Sequence, residues 1–477
     1  MQCRSTLKGL SYGVLCCALM ATAGQVQSQQ KQQPLSSEEL ASRSIQRHAV
    51  EAVVWGMPAV NLERMLQAMT ANGGAVNQML YWSRPVNWKD QALTPNPDTI
   101  YFNPFYDTTK GPVVLEIPPV EGESSITGSI DDAWQCALED VGPAGADQGK
   151  GGKYLIIPPG YKETPPGGYI VVPSDTYQGF AILRSNFKSG SDADIAAAVA
   201  YGKRMKIYPL GGSADQTVYV DVYDKMFDAT IPYDVRFFES LNRFVQHEPW
   251  LMRDKVMIDS LKAVGIAKGK PFNPNTKMRS ILDQAARVAG ASIDNWYERG
   301  FSPPFFEGTH WALPVSKETI EGLSTMFADP DSYPIDGRAV YFSVAYFSAK
   351  HLGVGQFYLL AIDDKSGQPF DGKKTYRLHV PPNAPVKLYW SATVYDRKTH
   401  TLIRETSRSS RASNSAGVQQ NADGSLDVFF GPRSPAGKES NFVPTNGRDF
   451  EILFRLYGPE KALFDKTWTL PDVEAVK

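Results

Sequence analysis

Residues 94–119 read TPNPDTIYFNPFYDTTKGPVVLEIPP. Pro95 and Pro97 bracket Asn96. Pro97 fixes its own φ and pushes Asn96 toward extended backbone. Asp98 and Thr99 are side chains that satisfy nearby backbone N–H groups in tight turns. Tyr101 then opens a strand, and GPVVLEIPP is a second short apolar run closed by prolines. Turn chemistry feeding short apolar runs is the signature of antiparallel β-structure.

The same text continues to about residue 183 in SSITGSIDDAW, KYLIIPPG, GYIVVPS and YQGFAILRSNF, with TVYVDVYD as one more strand. It returns from about residue 338 in AVYFSVAYFSA, QFYLLAIDD, TYRLHVPP, VKLYWSATVYD, SLDVFF and FEILFRLYG. NADGS at 421–425 reads as a hairpin turn, because Asp423 and Gly424 tolerate positive φ. Helical spacing appears between and before these blocks: from Ser37, with an interruption at Gly56 and Pro58 and a second helix to about Met69, then over 190–206, 237–263, 276–297 and 316–327. The expected fold is mainly β with added helices (α+β): two β-sandwich or jelly-roll-like units flanked by helices. The expected division is a signal peptide (1–23), a polar linker (24–35), a helical segment (36–93), a first sandwich (94–235), a helical connection (236–330) and a second sandwich (331–477). A faint internal echo links the blocks. VVLEIPP precedes Asp132 much as YRLHVPP precedes Asp396, which two related sandwiches or two similar strand endings would both explain.

The 477-residue chain is too long for one core. Its 22 Tyr, 23 Phe, 39 Gly and 34 Pro suit strands and turns better than a helical bundle. A net charge of -2 without a long basic run argues against nucleic acid as a partner. Arg4 and Lys8 precede the apolar run LSYGVLCCALMA, and Ala21 and Ala23 sit at a small-residue cleavage site, which reads as a signal peptide cut after Ala23. Of the four cysteines, Cys3, Cys16 and Cys17 lie in that segment and Cys136 alone remains, so the mature chain forms no internal disulfide. An exported chain of this size without disulfides fits a periplasm, with no stable membrane insertion after cleavage.

Candidate chemistry centres on the opening stretch. The plain reading of Asp98 is a turn cap. The sharper one places Asn96, Asp98, Thr99 and Tyr101 at a pocket mouth, where Asp98 exchanges a proton if burial or a like charge raises its pKa. Asp132, beside Trp134, is the candidate second acid; two carboxylates and an aromatic platform would resemble a glycoside-hydrolase site. A pocket between the sandwiches would add Trp390 or Tyr395 from the second half. Arg408, in the serine-rich basic loop RETSRSSRASNS, is a candidate clamp for a carboxylate. The catalytic candidates are thus Asp98, Asp132 and Tyr101, and the ligand-binding candidates are Asn96, Thr99, Trp134, Trp390, Tyr395 and Arg408.

Other chemistries leave weaker marks. The six histidines include no H-x-H or H-E-x-x-H pair, and Glu307 with His310 is the one spacing that suits a metal. No nucleotide loop and no G-x-S-x-G occurs, so neither a metal nor a cofactor is assigned.

Several pieces, PNPDTIYFNPFYDTTKGPVVLEIPP, DDAW, GGKYLIIPPGY, PVKLYWSATVYD, NADGSLDVFF and NFVPTNGRDFEILFRLYGPEKALFDKTWTLP, occur in an order that resembles the bacterial proteins pairing the domains of unknown function 1254 and 1214. The resemblance runs from about residue 50 onward. NPDTIYF stands where that family usually has NxDTLYS, and NFVP where it has NWLP. It implies two sandwich or jelly-roll-like units with helices packed around them, and it carries no settled reaction. The resulting expectation is a hydrolase- or lyase-like enzyme acting on a periplasmic carbohydrate or small polar metabolite, with a non-catalytic binding or assembly protein as the alternative and a homo-oligomer open.

Overall fold

The computed structural model describes residues 35–187, 190–346, 348–351 and 355–476. The expected signal peptide and nearly all of the expected linker lie outside them. From Ser42 onward the described residues form one compact unit.

The first strand-rich half holds β1 (Met79–Tyr81), β2 (Asp90–Gln91), β3 (Ile100–Phe102), β4 (Phe105–Asp107), β5 (Val113–Ile117), β6 (Ile126–Asp132), β7 (Ala137–Val141), β8 (Gly152–Ile157), β9 (Ile170–Pro173), β10 (Gln178–Ser185), β11 (Lys206–Pro209), β12 (Tyr219–Asp221) and β13 (Phe227–Asp228). A long sheet runs β12-β1-β3-β10-β6-β7, with β4 also on β10; a second runs β11-β5-β8-β9; β13 and β2 pair separately. The second half holds β14 (Gln356–Ala361), β15 (Tyr376–Val380), β16 (Trp390–Asp396), β17 (Ser410–Ala412), β18 (Leu426–Gly431), β19 (Phe442–Pro444), β20 (Phe450–Tyr457) and β21 (Glu474–Ala475). Its sheets run β14-β20-β16-β17 and β19-β18-β15-β21.

These orders are the same order. In chain sequence, β3 and β5 to β11 correspond to β14 to β21. The path β3-β10-β6-β7 matches β14-β20-β16-β17, antiparallel throughout. The path β11-β5-β8-β9 matches β21-β15-β18-β19, and in both the last pair is parallel. Even the register agrees: Asp132 faces Gly179, and Asp396 faces Phe450 at the corresponding rung. The echo between VVLEIPP and YRLHVPP is therefore a repeated topology.

Alternation sets the layers, since successive strand residues face opposite ways. On β10, Ala181 and Leu183 join a core with Val113, Leu115 and Ile156 of the smaller sheet. On β20, Ile452 and Phe454 join Leu378 and Val428 likewise. The other faces of the two long sheets, with Tyr101, Ile182, Leu360 and Leu453, enter one shared cluster with the helices. Fully burying such side chains contributes about 1.5–3 kcal/mol each.

The helices are α1 (Ser37–Ala71), α2 (Asp192–Gly202), α3 (Val235–His247), α4 (Met257–Ala263), α5 (Thr276–Arg299), α6 (Lys317–Thr325), α7 (Ile335–Val344) and α8 (Lys461–Phe464). Asp234, Asn275 and Ser316 cap α3, α5 and α6 by accepting backbone N–H groups.

Four expectations need correction. Helix α1 runs through Pro58 without a break, because residues around it are buried on all sides and packing outweighs the missing hydrogen bond. Gly56 there gives room to α3: a Cβ would lie 2.9 Å from Leu241 Cδ1. The first part of the run AVYFSVAYFSA, AVYFSV, is not a strand. Ile335–Val344 is helical, and a short fully apolar run reads alike in either form. The 237–263 segment breaks after His247, at Glu248 and Pro249. The basic loop is partly a strand, since Ser410–Ala412 pairs with β16. The overall class is a mixed α+β fold with several sheets and helices. The NADGS turn forms with Gly424 at φ 83°, but it leads from a loop into β18 rather than joining two paired strands.

Candidate functional site

The opening stretch is stitched to the second half of the chain. Asn96 Oδ1 accepts Asp98 N–H at 3.0 Å, and the Asn96 N–H donates to Tyr101 Oη at 3.0 Å. Asn96, not Asp98, therefore makes the local turn. Tyr395 Oη donates to the Pro95 carbonyl at 2.7 Å, and Arg455 donates to the Thr94 carbonyl at 2.8 Å. Asn96 Nδ2 donates to Tyr457 Oη. Asp98 sends its carboxylate outward, where Ser410 Oγ donates to it at 2.7 Å. Burial holds the Asp98 carboxyl above the usual range, against the opposing pull of Ser410 and Arg455.

This turn is the wall between two cavities. An outer cleft of about 740 Å³ is lined by Asp98 and Thr99 together with Asp140, Arg184, His351 and Tyr389. An inner cavity of about 90 Å³ is lined by Asn96 and Tyr101 together with Arg184, Tyr358 and Arg455. Both draw equivalent positions from the two halves. The inner cavity has Tyr101 and Tyr358, each the cross-strand partner of an arginine, Arg184 and Arg455. The outer cleft has Asp98 and Thr99 just before β3 beside Gly355 and Gln356 at the start of β14.

In the cleft, Asp140 accepts Ser129 Oγ at 2.8 Å, Lys350 N–H at 2.9 Å and His351 N–H at 2.7 Å, and its Oδ2 lies 2.8 Å from His351 Nδ1. This carboxylate orients an imidazole whose side chain is about half exposed, at 52%. Tyr389 and Tyr457 stack with centroids 4.4 Å apart on the same cleft.

The remaining candidates lie elsewhere. Asp132 is fully buried, and its Oδ1 accepts Trp134 N–H at 2.9 Å and Cys136 N–H at 2.8 Å. Burial pushes its carboxyl up to about 6, while Arg253 and Arg338 pull the other way. Trp134 packs against Trp55 and Phe244 in the helical core, with Arg338 over its ring. Asp132 and Trp134 thus line neither cavity and share no partner with Asp98. Trp390 stacks on Phe454 inside the second core. Tyr395 supports the turn from behind through Pro95. Arg408 donates to the carbonyls of Glu439 and Phe442, both at 3.1 Å. His310 pairs with Asp472 at 2.8 Å, and Glu307 is exposed. Among the described residues no group of three or more His, Cys, Asp or Glu comes together to hold a metal. Among them, too, no helix is long and apolar enough to cross a membrane.

Sequence reasoning missed Arg184, Arg455, Tyr358, Asp140 and His351. One signal was present: AILRS and LFRLYG each carry an arginine inside an apolar strand, and arginine is rarely buried without a purpose.

One solved structure shares this fold. The crystal structure of the VPA0106 protein from Vibrio parahaemolyticus is similar over 91% of this chain and 100% of that chain, with a TM-score of 0.57 and 17% identity. An uncharacterized protein from Burkholderia cenocepacia aligns over 92% of this chain and 96% of that chain, at 11% identity and a TM-score of 0.41. At such identities the first likeness is one of fold. No curated protein matches the chain. Residues 76–209 match the protein family of unknown function DUF1254, and residues 355–461 match the protein family of unknown function DUF1214. The chain, with its two equivalent strand orders, belongs to the proteins that pair a DUF1254 region with a DUF1214 region in that order.

Proposed function

We propose that the chain is an exported, periplasmic enzyme, hydrolase- or lyase-like, that transfers protons to and from a small polar metabolite in the outer cleft. One observation carries this reading: Asp98 and the Asp140–His351 pair line the same cleft. Burial favours the protonated form of Asp98, which suits a proton donor. With the Nδ1 proton directed at Asp140, His351 Nε2 is left as the acceptor, which suits a base. Stacked Tyr389 and Tyr457 offer a flat apolar face, and Arg184 and Lys387 add positive charge. Each half is read as a two-sheet sandwich because its two sheets contribute to one core.

Non-catalytic binding of a carbohydrate or small ligand is the second reading. It is favoured by the separation of Asp98 from Asp132, which takes away the carboxylate pair first expected to flank a scissile bond. The test is turnover of a panel of glycosides, esters and hydroxy acids by the purified mature chain, followed by mass spectrometry. The expected result is turnover that falls by about 10²-fold or more in folded Asp98→Asn and His351→Gln. Binding without turnover in the natural chain would favour the second reading, and turnover unchanged in both variants would overturn the assignment.

A further inference from the structure

We propose that the inner cavity is a binding site for a small organic carboxylate, held between the equivalent arginine–tyrosine pairs Arg184–Tyr101 and Arg455–Tyr358. The inference does not depend on Asp98 or His351 acting in catalysis.

Arg455 is 2% exposed. Its hydrogen bonds go to Thr393 Oγ1 at 2.9 Å, the Thr94 carbonyl at 2.8 Å and Tyr395 Oη at 2.6 Å, all uncharged acceptors. Arg184, 5% exposed, lines the same cavity. A guanidinium keeps its charge in a protein. Burying such charge is costly unless an anion meets it with good geometry.

Two carboxyl groups lie nearby, and neither fills that role at Arg455. Asp98 faces the outer cleft, gives Oδ2 to Ser410, and is biased by burial toward its neutral form. Asp90 lines the inner cavity, but its Oδ1 accepts Ala92 N–H at 3.0 Å, and burial pushes its carboxyl up to about 7 with no arginine acting on it. The cavity lining thus carries two guanidiniums, Arg184 and Arg455, and one carboxyl, Asp90.

Shape narrows the occupant. Ile182, Val344, Leu360 and Leu453 supply aliphatic lining. A volume of about 90 Å³ is small, which suits a short-chain acid better than a sugar ring. Each guanidinium carbon lies over its tyrosine ring, at 5.4 Å for Arg184 over Tyr101 and 5.5 Å for Arg455 over Tyr358, which orients the planar donor fork. A planar fork recognises a planar carboxylate through parallel N–H bonds.

The experiment titrates the purified mature chain with propionate, propionamide and 1-propanol at constant ionic strength, read by calorimetry and thermal shift. Propionate should bind and raise Tm, and the two uncharged analogues should bind at least tenfold more weakly. Arg455→Gln and the cavity-filling Leu453→Phe should each lose propionate binding while His351→Gln keeps it. Equal binding of amide and acid by the natural chain, or no binding at all, overturns the proposal even if the variants fail to fold. Propionate binding that survives Arg455→Gln and is lost in His351→Gln places the acid in the outer cleft and overturns it as well. Failure of the turnover assay leaves this result intact.

Discussion

Arg184 and Arg455 hold the same ladder position in two different sheets. Each faces a tyrosine on one neighbouring strand, Tyr101 or Tyr358, and a hydroxyl side chain on the other, Thr127 or Ser391. The arginines reach common cavity walls because the two long sheets turn these faces toward one another. A repeated topology thus supplies both sides of one seam.

The turn depends on Tyr395. Its hydroxyl donates to Pro95 and accepts from Arg455, all in buried surroundings. Tyr395→Phe should lower stability by about 1–3 kcal/mol, because it orphans a buried carbonyl and a buried guanidinium donor. Chemical denaturation of the two chains measures this.

Ser410 Oγ donates to the Asp98 carboxylate at 2.7 Å. It favours the charged form, so Ser410→Ala should raise the Asp98 pKa further. Carboxyl carbon shifts of labelled aspartate, followed by NMR against pH, read the change directly.

Asp90 should make stability fall with rising pH. Burial pushes its folded pKa from 3.8 to about 7. The folded chain then holds the proton more tightly than the unfolded one, so the contribution is fully present below about pH 4 and is lost as pH rises toward 7. Asp90→Asn should gain on the order of 2–4 kcal/mol relative to the natural chain between pH 4 and pH 8. Urea unfolding at both pH values is the measurement, and parallel profiles would count against it.

Gly179 has no room for a methyl group. A Cβ there would lie 2.1 Å from Tyr106 Oη and 2.3 Å from the Asp131 carbonyl. Tyr106 is pinned by its hydrogen bond to that same carbonyl at 2.8 Å. Gly179→Ala should therefore cost about 3 kcal/mol through overpacking, seen as a lower Tm.

Cys136 is fully buried, and burial with the nearby Asp132 raises its thiol pKa. The thiolate is the reactive form. Alkylation of Cys136 in the folded chain by iodoacetamide, read by peptide mass spectrometry, should be negligible and should appear only across the unfolding transition.

Local chemistry was legible in the residues alone. Proline, glycine and asparagine punctuation marked most strands, the NADGS turn and the turn before β3, because turns depend on immediate neighbours. The strand endings VVLEIPP and YRLHVPP carried the duplication, and the order of pieces carried the family. Packing decided the rest. AVYFSV became helical and α1 crossed Pro58 because burial outweighs local preference. Asp132 and Trp134, two residues apart in sequence and attractive as partners for Asp98, went into the helical core instead. Arg184 became a neighbour of the NPDTIY turn by strand pairing within one sheet, whereas Arg455 and His351 came from the second half only when the two halves were brought together. A strand's alternation states which residues share a face, but which face meets which is set by the stacking of whole sheets, a property that no local stretch contains.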